Sequence, residues 1–255
     1  MRVTIVGCAG SFPGPHSPAS CYLVQAEHEG RDFSLVLDLG NGALGALQRH
    51  IDIEDIDAVA ISHLHPDHVV DVLGLYVARK YRPAGPYEHH LPLFGPMGTE
   101  RRLSLMYHGI EPAGLASQFD FHVIKDTAPF TAGPFAVTPL RVNHPVEAYG
   151  FRVEAGGKVL AYSGDTDSSP VLSTLFTEAD LVLCDSAWVD GRDNTPGIHL
   201  SGSGAARAAI AAGGVKRLML THIPAWNDPE VCRAQAAAVW TGDVELAEPD
   251  KTYDL

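Results

Sequence analysis

"ISHLHPDHVV", residues 61–70, sets three histidines and an aspartate within six consecutive positions. The apolar run "DAVAIS" ahead of it reads as a strand. Pro66 opens a helical pattern, "PDHVVDVLGLYVARKY" (66–81), whose apolar residues share a broad face and which stops before Pro83. The cluster therefore falls on a strand-to-helix turn, where side chains converge without distorting a regular element. His63 and His65, two apart, point to one side of an extended segment, while Asp67 and His68 at the helix entrance reach a second, neighbouring point. Four such groups suffice for two metal ions if further ligands arrive from elsewhere. A lone histidine beside a strand is ordinarily a satisfied core or surface residue, but a group this dense has no use in an apolar core. A purely structural zinc more often recruits cysteine and closes its shell with four ligands. The cysteines here, Cys8, Cys21, Cys184 and Cys232, lie elsewhere and form no CxxC pair.

Outward from this turn the chain alternates β-rich runs with amphipathic or Ala-rich ones. Strands are expected at 2–8, 21–27, 33–40, 57–63, 91–95, 121–125 and 135–144. "YGFRVEAGGKVLAYSGD" (149–165) reads as a hairpin turning at Gly156-Gly157. "ADLVLCDS" (179–186) and "VKRLMLTHI" (215–223) follow as strands. Two helices are expected, a Ser-capped, Ala-rich one in "LSGSGAARAAIAAGG" (200–214) and another opening on Asp228-Pro229. The tail from Val244 is expected to add an edge strand. With no linker-like run, low-complexity tract or repeat, a single α/β domain over residues 1–255 is the economical expectation.

The balance of 18 basic against 31 acidic residues, net −13, disfavours nucleic acid as a partner, since such affinity rests on Lys and Arg neutralising phosphates. No apolar run reaches the roughly 18 residues that a membrane span needs, and "MRVTIVGCAG" lacks the features of a signal peptide. A cytoplasmic protein without disulfides is expected, with Cys8 and Cys184 as buried small hydrophobes in strands.

"HLHPDH" resembles the HxHxDH motif of the metallo-β-lactamase fold, and "LVLDLG" with Asp38 is similar to that family's first short motif. The later motifs follow in order: "VNHP" with His144, "YSGDT" with Asp165 and "LTHI" with His222. The resemblance implies a four-layer αββα sandwich of two mixed sheets flanked by helices. It also implies a dinuclear centre, with His63, His65 and His144 on one metal, Asp67, His68 and His222 on the other, and Asp165 bridging them. Asp38 would orient the histidine loop without being a ligand. Imidazoles and carboxylates suit Zn2+, ranked first, as well as Mn2+ or Fe2+.

Fold alone does not choose a reaction. "NHPVEAYGFRVE" is similar to the third-histidine region of the ribonuclease Z and phosphonate-pathway phosphodiesterase branch, and the "GHT" context of glyoxalase II is absent. His199, in "GIHLSGSG", resembles the extra histidine of ribonuclease Z-like enzymes that is proposed to protonate the leaving oxygen, while Asp67 helps receive a proton from the metal-activated hydroxide. In ribonuclease Z the tRNA-gripping arm is inserted between the third histidine and the bridging aspartate. Here only 20 residues separate His144 from Asp165, with Arg152 and Lys158 as the only basic residues between them. "GCAGSFPGPHSPASCYLV" (7–24), with "GALGALQRH" (42–50) and "LTHIPAW" (220–226), closely resembles ribonuclease Z-like enzymes that hydrolyse cyclic nucleotides, which implies conversion of 3′,5′-cAMP, or cGMP, to the 5′-monophosphate by a homodimer. A tRNA 3′-processing endonuclease ranks second, and a thioesterase or a non-catalytic metal-binding module lower.

Overall fold

The computed structural model describes residues 1–109 and 114–255. Two seven-stranded sheets face each other. The first contains β1 (Arg2–Gly7), β2 (Cys21–His28), β3 (Arg31–Leu37), β4 (Ala58–Ala60), β5 (Leu91–Gly95) and β6 (Phe119–Val123), edged by β14 (Thr252–Asp254) beside β1. The second runs from β7 (Phe130–Ala132) through β8 (Phe135–Arg141), β9 (Tyr149–Ala155), β10 (Lys158–Tyr162), β11 (Leu181–Asp185) and β12 (Leu218–Thr221) to β13 (Val244–Leu246). Each sheet begins with antiparallel pairs and continues parallel, from β3 onward in the first and from β10 onward in the second. Both are mixed sheets, as the sequence led us to expect.

Three bodies of apolar side chains hold the layers together, and the two-residue strand period assigns residues among them. Leu35 and Leu37 of β3 join Phe135, Phe151 and Leu183 between the sheets, whereas Val36 turns outward. There it meets Val72 and Leu75 of α3 (Val72–Lys80) and Ala46 of α1 (Ala43–Leu47). On the opposite face, Val182, Cys184 and Leu220 pack under α5 (Val171–Phe176), α6 (Gly202–Ala211) and α7 (Pro229–Ala237). The layering is thus helix, sheet, sheet, helix.

Local expectations fared unevenly. Ser201 accepts from Gly204 N and caps α6, and Asp228 accepts from Glu230 N at the start of α7, as their sequences imply. The helix expected over 66–81 is instead two, α2 (Pro66–Val69) and α3. The cause is Leu39: its N–H donates to the His68 carbonyl at 2.7 Å, and its own carbonyl accepts from Asp71 N at 3.1 Å. A continuous helix would have used His68 O for residue 72. The loop after β3 therefore competes for helical hydrogen bonds and locks the histidine turn in place. Cys8 lies beyond the end of β1, half-buried, with its thiol against Ser17 Oγ and Ala247 O, so it is not a fully buried strand residue; Cys184 is. The tail supplies two edge strands, β13 on one sheet and β14 on the other. Helix α4 (Thr99–His108) and the short α1 and α5 were not anticipated.

Candidate metal centre

Asp38 and every candidate metal ligand lie in loops that follow the C-terminal ends of strands, on one rim of the sandwich; His199 lies farther along, between β11 and α6. Asp38 follows β3, His63 to His68 follow β4, His144 follows β8, Asp165 follows β10 and His222 follows β12. In parallel segments this is the rim where loops are free to converge on a ligand.

They converge as two groups that share one carboxylate. His63, His65, His144 and Asp165 form the first, and Asp67, His68, His222 and Asp165 the second; within each group the donor atoms lie within 4.8 Å of one another. His65 Nδ1 stands 3.0 Å from His63 Nε2 and 3.2 Å from His144 Nε2, with Asp165 Oδ2 3.6 Å from His63 Nε2. In the second group Asp165 Oδ1 lies 3.1 Å from His68 Nε2, and Asp165 Oδ2 lies 3.3 Å from His222 Nε2. Asp67 Oδ2 is 3.5 Å from His68 Nε2 and 3.8 Å from His222 Nε2.

Outer partners fix these rings. The Asp38 carboxylate, fully buried, accepts from His68 Nδ1 at 2.7 Å, Tyr162 OH at 2.8 Å, Ser62 Oγ at 2.7 Å and Ser62 N at 2.6 Å. Because Ser62 Oγ spends its hydrogen on Asp38, it accepts from His63 Nδ1 at 3.1 Å and leaves His63 Nε2 as a lone pair. His144 Nδ1 donates to Ile198 O at 2.9 Å, and His222 Nδ1 meets Ser20 Oγ at 3.0 Å. The outward nitrogens of His63, His68, His144 and His222 are thus anchored and their inner ones turned to the centre, the arrangement that tunes metal-binding histidines. Asp38 and His222 both adopt positive φ, 59° and 58°, a backbone region that costs a non-glycine residue energy and persists where the surroundings enforce it. Two glycines permit the loops to touch: a Cβ on Gly40 would stand 1.9 Å from Asp67 O, and one on Gly10 2.2 Å from His222 O.

The donor set fits cations. His68 Nε2, His222 Nε2 and Asp165 Oδ1 are buried without a hydrogen-bond partner and point at the same space, a costly state for polar atoms unless something polar fills it. Burial holds His63, His65, His144 and His222 below the ordinary imidazole range, so their lone pairs are free to bind. Burial works against the charge of Asp67 and Asp165, yet the neighbouring imidazoles hold both carboxyls well below the usual range. His68 is driven the other way: burial opposes its protonation, but the Asp165, Asp38 and Asp67 carboxylates push it well above an ordinary histidine. The buried carboxylates favour positive charge beside them, which bound cations would supply. We conclude that this is a His/Asp cluster able to bind metal.

His199 sits over the cluster, its ring 5.6 Å from that of His144 and 5.3 Å from that of His222. Sequence reasoning missed its partner. Asp185, the last residue of β11, accepts from His199 Nδ1 at 2.8 Å through Oδ2 and is pinned by Thr166 N and Ala187 N at 3.0 Å each. Burial disfavours a charged His199, but this carboxylate outweighs it and raises the group to about 9. An acid closing the apolar run "LVLC" was the available signal. Ser62 stood next to His63, but nothing local pointed to Tyr162 or Ser20.

Comparison with known proteins agrees with this architecture. The beta-lactamase superfamily domain matches residues 35–223. The chain belongs to that superfamily and has the metallo-β-lactamase fold. An uncharacterized protein of Mycobacterium tuberculosis is 41% identical over 258 residues, covering 100% of this chain and 92% of its own length. The probable metallo-hydrolase YhfI of Bacillus subtilis is 32% identical, covering 97% of each chain. Its crystal structure, described as a metallo-beta-lactamase fold protein, superposes with a TM-score of 0.87 at 29% identity, covering 99% of this chain and 98% of that one. A ribonuclease Z of Myxococcus xanthus is 25% identical over 310 residues, covering 100% of this chain and 98% of its own. The chain is a metallo-hydrolase of this superfamily, related to ribonuclease Z.

Proposed function

We propose that the protein is a metal-dependent phosphodiesterase that hydrolyses a small cyclic nucleotide, 3′,5′-cAMP or cGMP, to the 5′-monophosphate. The observation that carries this reading is His199, held charged by Asp185 directly over two convergent ligand groups. Hydrolysis of an unactivated phosphodiester must deliver a proton to a poor leaving oxygen, and a cationic imidazole at that place can do so. Relationship to a ribonuclease Z, by name a phosphodiester-cleaving enzyme, supports the same class.

His63, His65, His144 and Asp165 would hold one divalent ion, and Asp67, His68, His222 and Asp165 the other. The pair would supply Lewis acidity, a nucleophile at neutral pH and charge neutralisation for the phosphoryl oxygens. The remaining work falls to the chain. Asp67, kept ionised, accepts the proton of the attacking water. His199 Nε2–H donates to O3′ as the P–O3′ bond breaks, and Asp185 compensates the charge of the imidazolium before that transfer. One water is consumed: its hydroxyl ends on phosphorus and a proton on O3′. A small substrate is favoured because the 20 residues between His144 and Asp165 are taken up largely by β9, the Gly156-Gly157 turn and β10, with no inserted arm among them.

The deciding experiment is a side-by-side assay of metal-loaded protein on 3′,5′-cAMP, 3′,5′-cGMP, 2′,3′-cyclic nucleotides and a precursor tRNA. Turnover of a 3′,5′-cyclic nucleotide that chelation abolishes is expected. Efficient tRNA cleavage with inert cyclic nucleotides would replace this reading with the ribonuclease Z one.

A further inference from the structure

A cavity of about 610 Å3 opens beside His199, between α5, α6 and the loop that follows β11. Its size falls within the range of small-molecule sites. His199 lines it, and none of the candidate metal ligands does. A second hollow of about 240 Å3, under Thr221 and Ile223, reaches neither His199 nor those ligands. A substrate with its phosphorus over the cluster and its leaving oxygen at His199 has the larger cavity directly ahead of that oxygen.

The lining is chemically selective. Trp188, half-buried, lines the cavity, its ring 6.1 Å from His199 and nearly perpendicular to it, with its backbone N–H fixed on Leu200 O at 3.0 Å. Leu172, Leu200 and Ala208 contribute apolar surface. The cavity's carboxylates are already engaged by the chain itself: Asp167 by Gly197 N and Ser168 N, Asp190 by Ser201 Oγ, and Asp193 by Arg192 and Val189 N. Arg207 is not so engaged. Among the described residues its hydrogen-bond partner is the Ser203 hydroxyl at 2.8 Å, which leaves most of a five-donor guanidinium unspent. Exposed on α6, it stands six residues from Ser201, about 9 Å along the helix axis at 1.5 Å per residue, and lines the cavity. What remains free is an aromatic face near the acid and a cationic donor beyond it.

We propose that this cavity is the subsite for the nucleoside part of the substrate, which carries the leaving O3′, built to take a planar, hydrogen-bond-accepting heterocycle of nucleobase size. Trp188 is its stacking surface and Arg207 the donor to its outer edge. The orientation rests on the phosphodiesterase reading above. Stacking tolerates any base, because each has a π-face, whereas Arg207 favours one with exposed carbonyl and ring-nitrogen acceptors, as guanine has.

Two measurements test this on the full-length, metal-loaded protein. In the first, KM and kcat for 3′,5′-cAMP and 3′,5′-cGMP are compared among wild type, W188A, W188F and R207A. W188A is expected to raise KM roughly 10-fold with kcat changed far less, and W188F to restore most of it. R207A is expected to raise KM for cGMP more than for cAMP. In the second, 5′-AMP is titrated against tryptophan fluorescence; saturable quenching is expected in wild type and its loss in W188F, where Trp226 and Trp240 remain. An unchanged KM in W188A, or quenching that is absent from wild type or persists in W188F, overturns the subsite even if cyclic nucleotides are hydrolysed. Should W188A not fold, the quenching comparison decides. Inert cyclic nucleotides together with quenching lost in W188F would uphold the subsite and overturn the proposed reaction instead.

Discussion

His199 Nδ1 lies 2.8 Å from Asp185 Oδ2, and the same oxygen is tied to the backbone N–H of Thr166. The carboxylate therefore cannot swing away, and the imidazole keeps its Nδ1–H toward Asp185 and its Nε2 toward the cluster. Such a pair sets both the aim and the protonation of a general acid. Replacing Asp185 with Asn keeps the shape but removes the charge that raises His199. The alkaline limb of the kcat/KM profile should then move to lower pH by roughly a unit or more. His199→Ala should reduce turnover of a cyclic nucleotide by about 10²- to 10⁴-fold. Its effect on bis-p-nitrophenyl phosphate, whose leaving group needs no proton, should be far smaller. Equal losses on both substrates would remove the general-acid role.

The same pair gives the metal-free protein a pH-dependent stability. His199 is raised in the folded state to about 9 from an ordinary value of 6.5. Its contribution is therefore complete below about pH 6.5 and is lost as pH rises through 9, with an upper limit on the order of 3 kcal/mol. Urea unfolding of chelated protein at intervals from pH 6 to pH 10 should show this decline, and Asp185→Asn should flatten it. Identical slopes in the two proteins would show that the decline has another source.

Much of this site was legible because its residue types are unusual where they stand. "HLHPDH" breaks an apolar strand with groups that no core can use, and His144, Asp165 and His222 end strands in the same way. The sheets were legible for a related reason: alternation in runs such as "FSLVL" divides Leu35 and Val36 between two cores. What stayed hidden depends on tertiary contact. Nothing within 66–81 says that Leu39 will capture the His68 carbonyl and break the helix. Tyr162 is an ordinary strand tyrosine until the facing sheet brings Asp38 within 2.8 Å of its hydroxyl. Helix α4 buries Thr99, Leu103 and Ser104, so its apolar face is too small to stand out in the sequence.

Asp38 is where the two sheets meet the histidine turn. It binds Ser62 and His68 from one sheet's rim and Tyr162 from the other, so its loss should be felt in metal affinity before chemistry. Asp38→Asn retains the volume but cannot accept from all of these donors. Affinity at the second group should fall about 10- to 100-fold, the usual cost of removing a histidine's outer carboxylate partner. Competition with a chromogenic chelator measures this directly. An unchanged affinity would reduce Asp38 to a turn-forming residue.

The unpartnered atoms His68 Nε2, His222 Nε2 and Asp165 Oδ1 make a claim about folding as well as chemistry. Buried polar groups without partners destabilise the native state, and a cation bound only by the folded chain relieves them. Each site held at 100 times its dissociation constant adds about 2.7 kcal/mol. For a chain of this size that corresponds to a Tm increase of several degrees, at about 2–4 °C per kcal/mol. Chelation should lower Tm, and re-addition of Zn2+ or Mn2+ should restore it. Elemental analysis should find two ions per chain, one after His222→Ala and fewer than one after Asp165→Ala, because Asp165 belongs to both groups. Retention of two tightly bound ions by the Asp165→Ala protein would show that the two groups do not share that carboxylate.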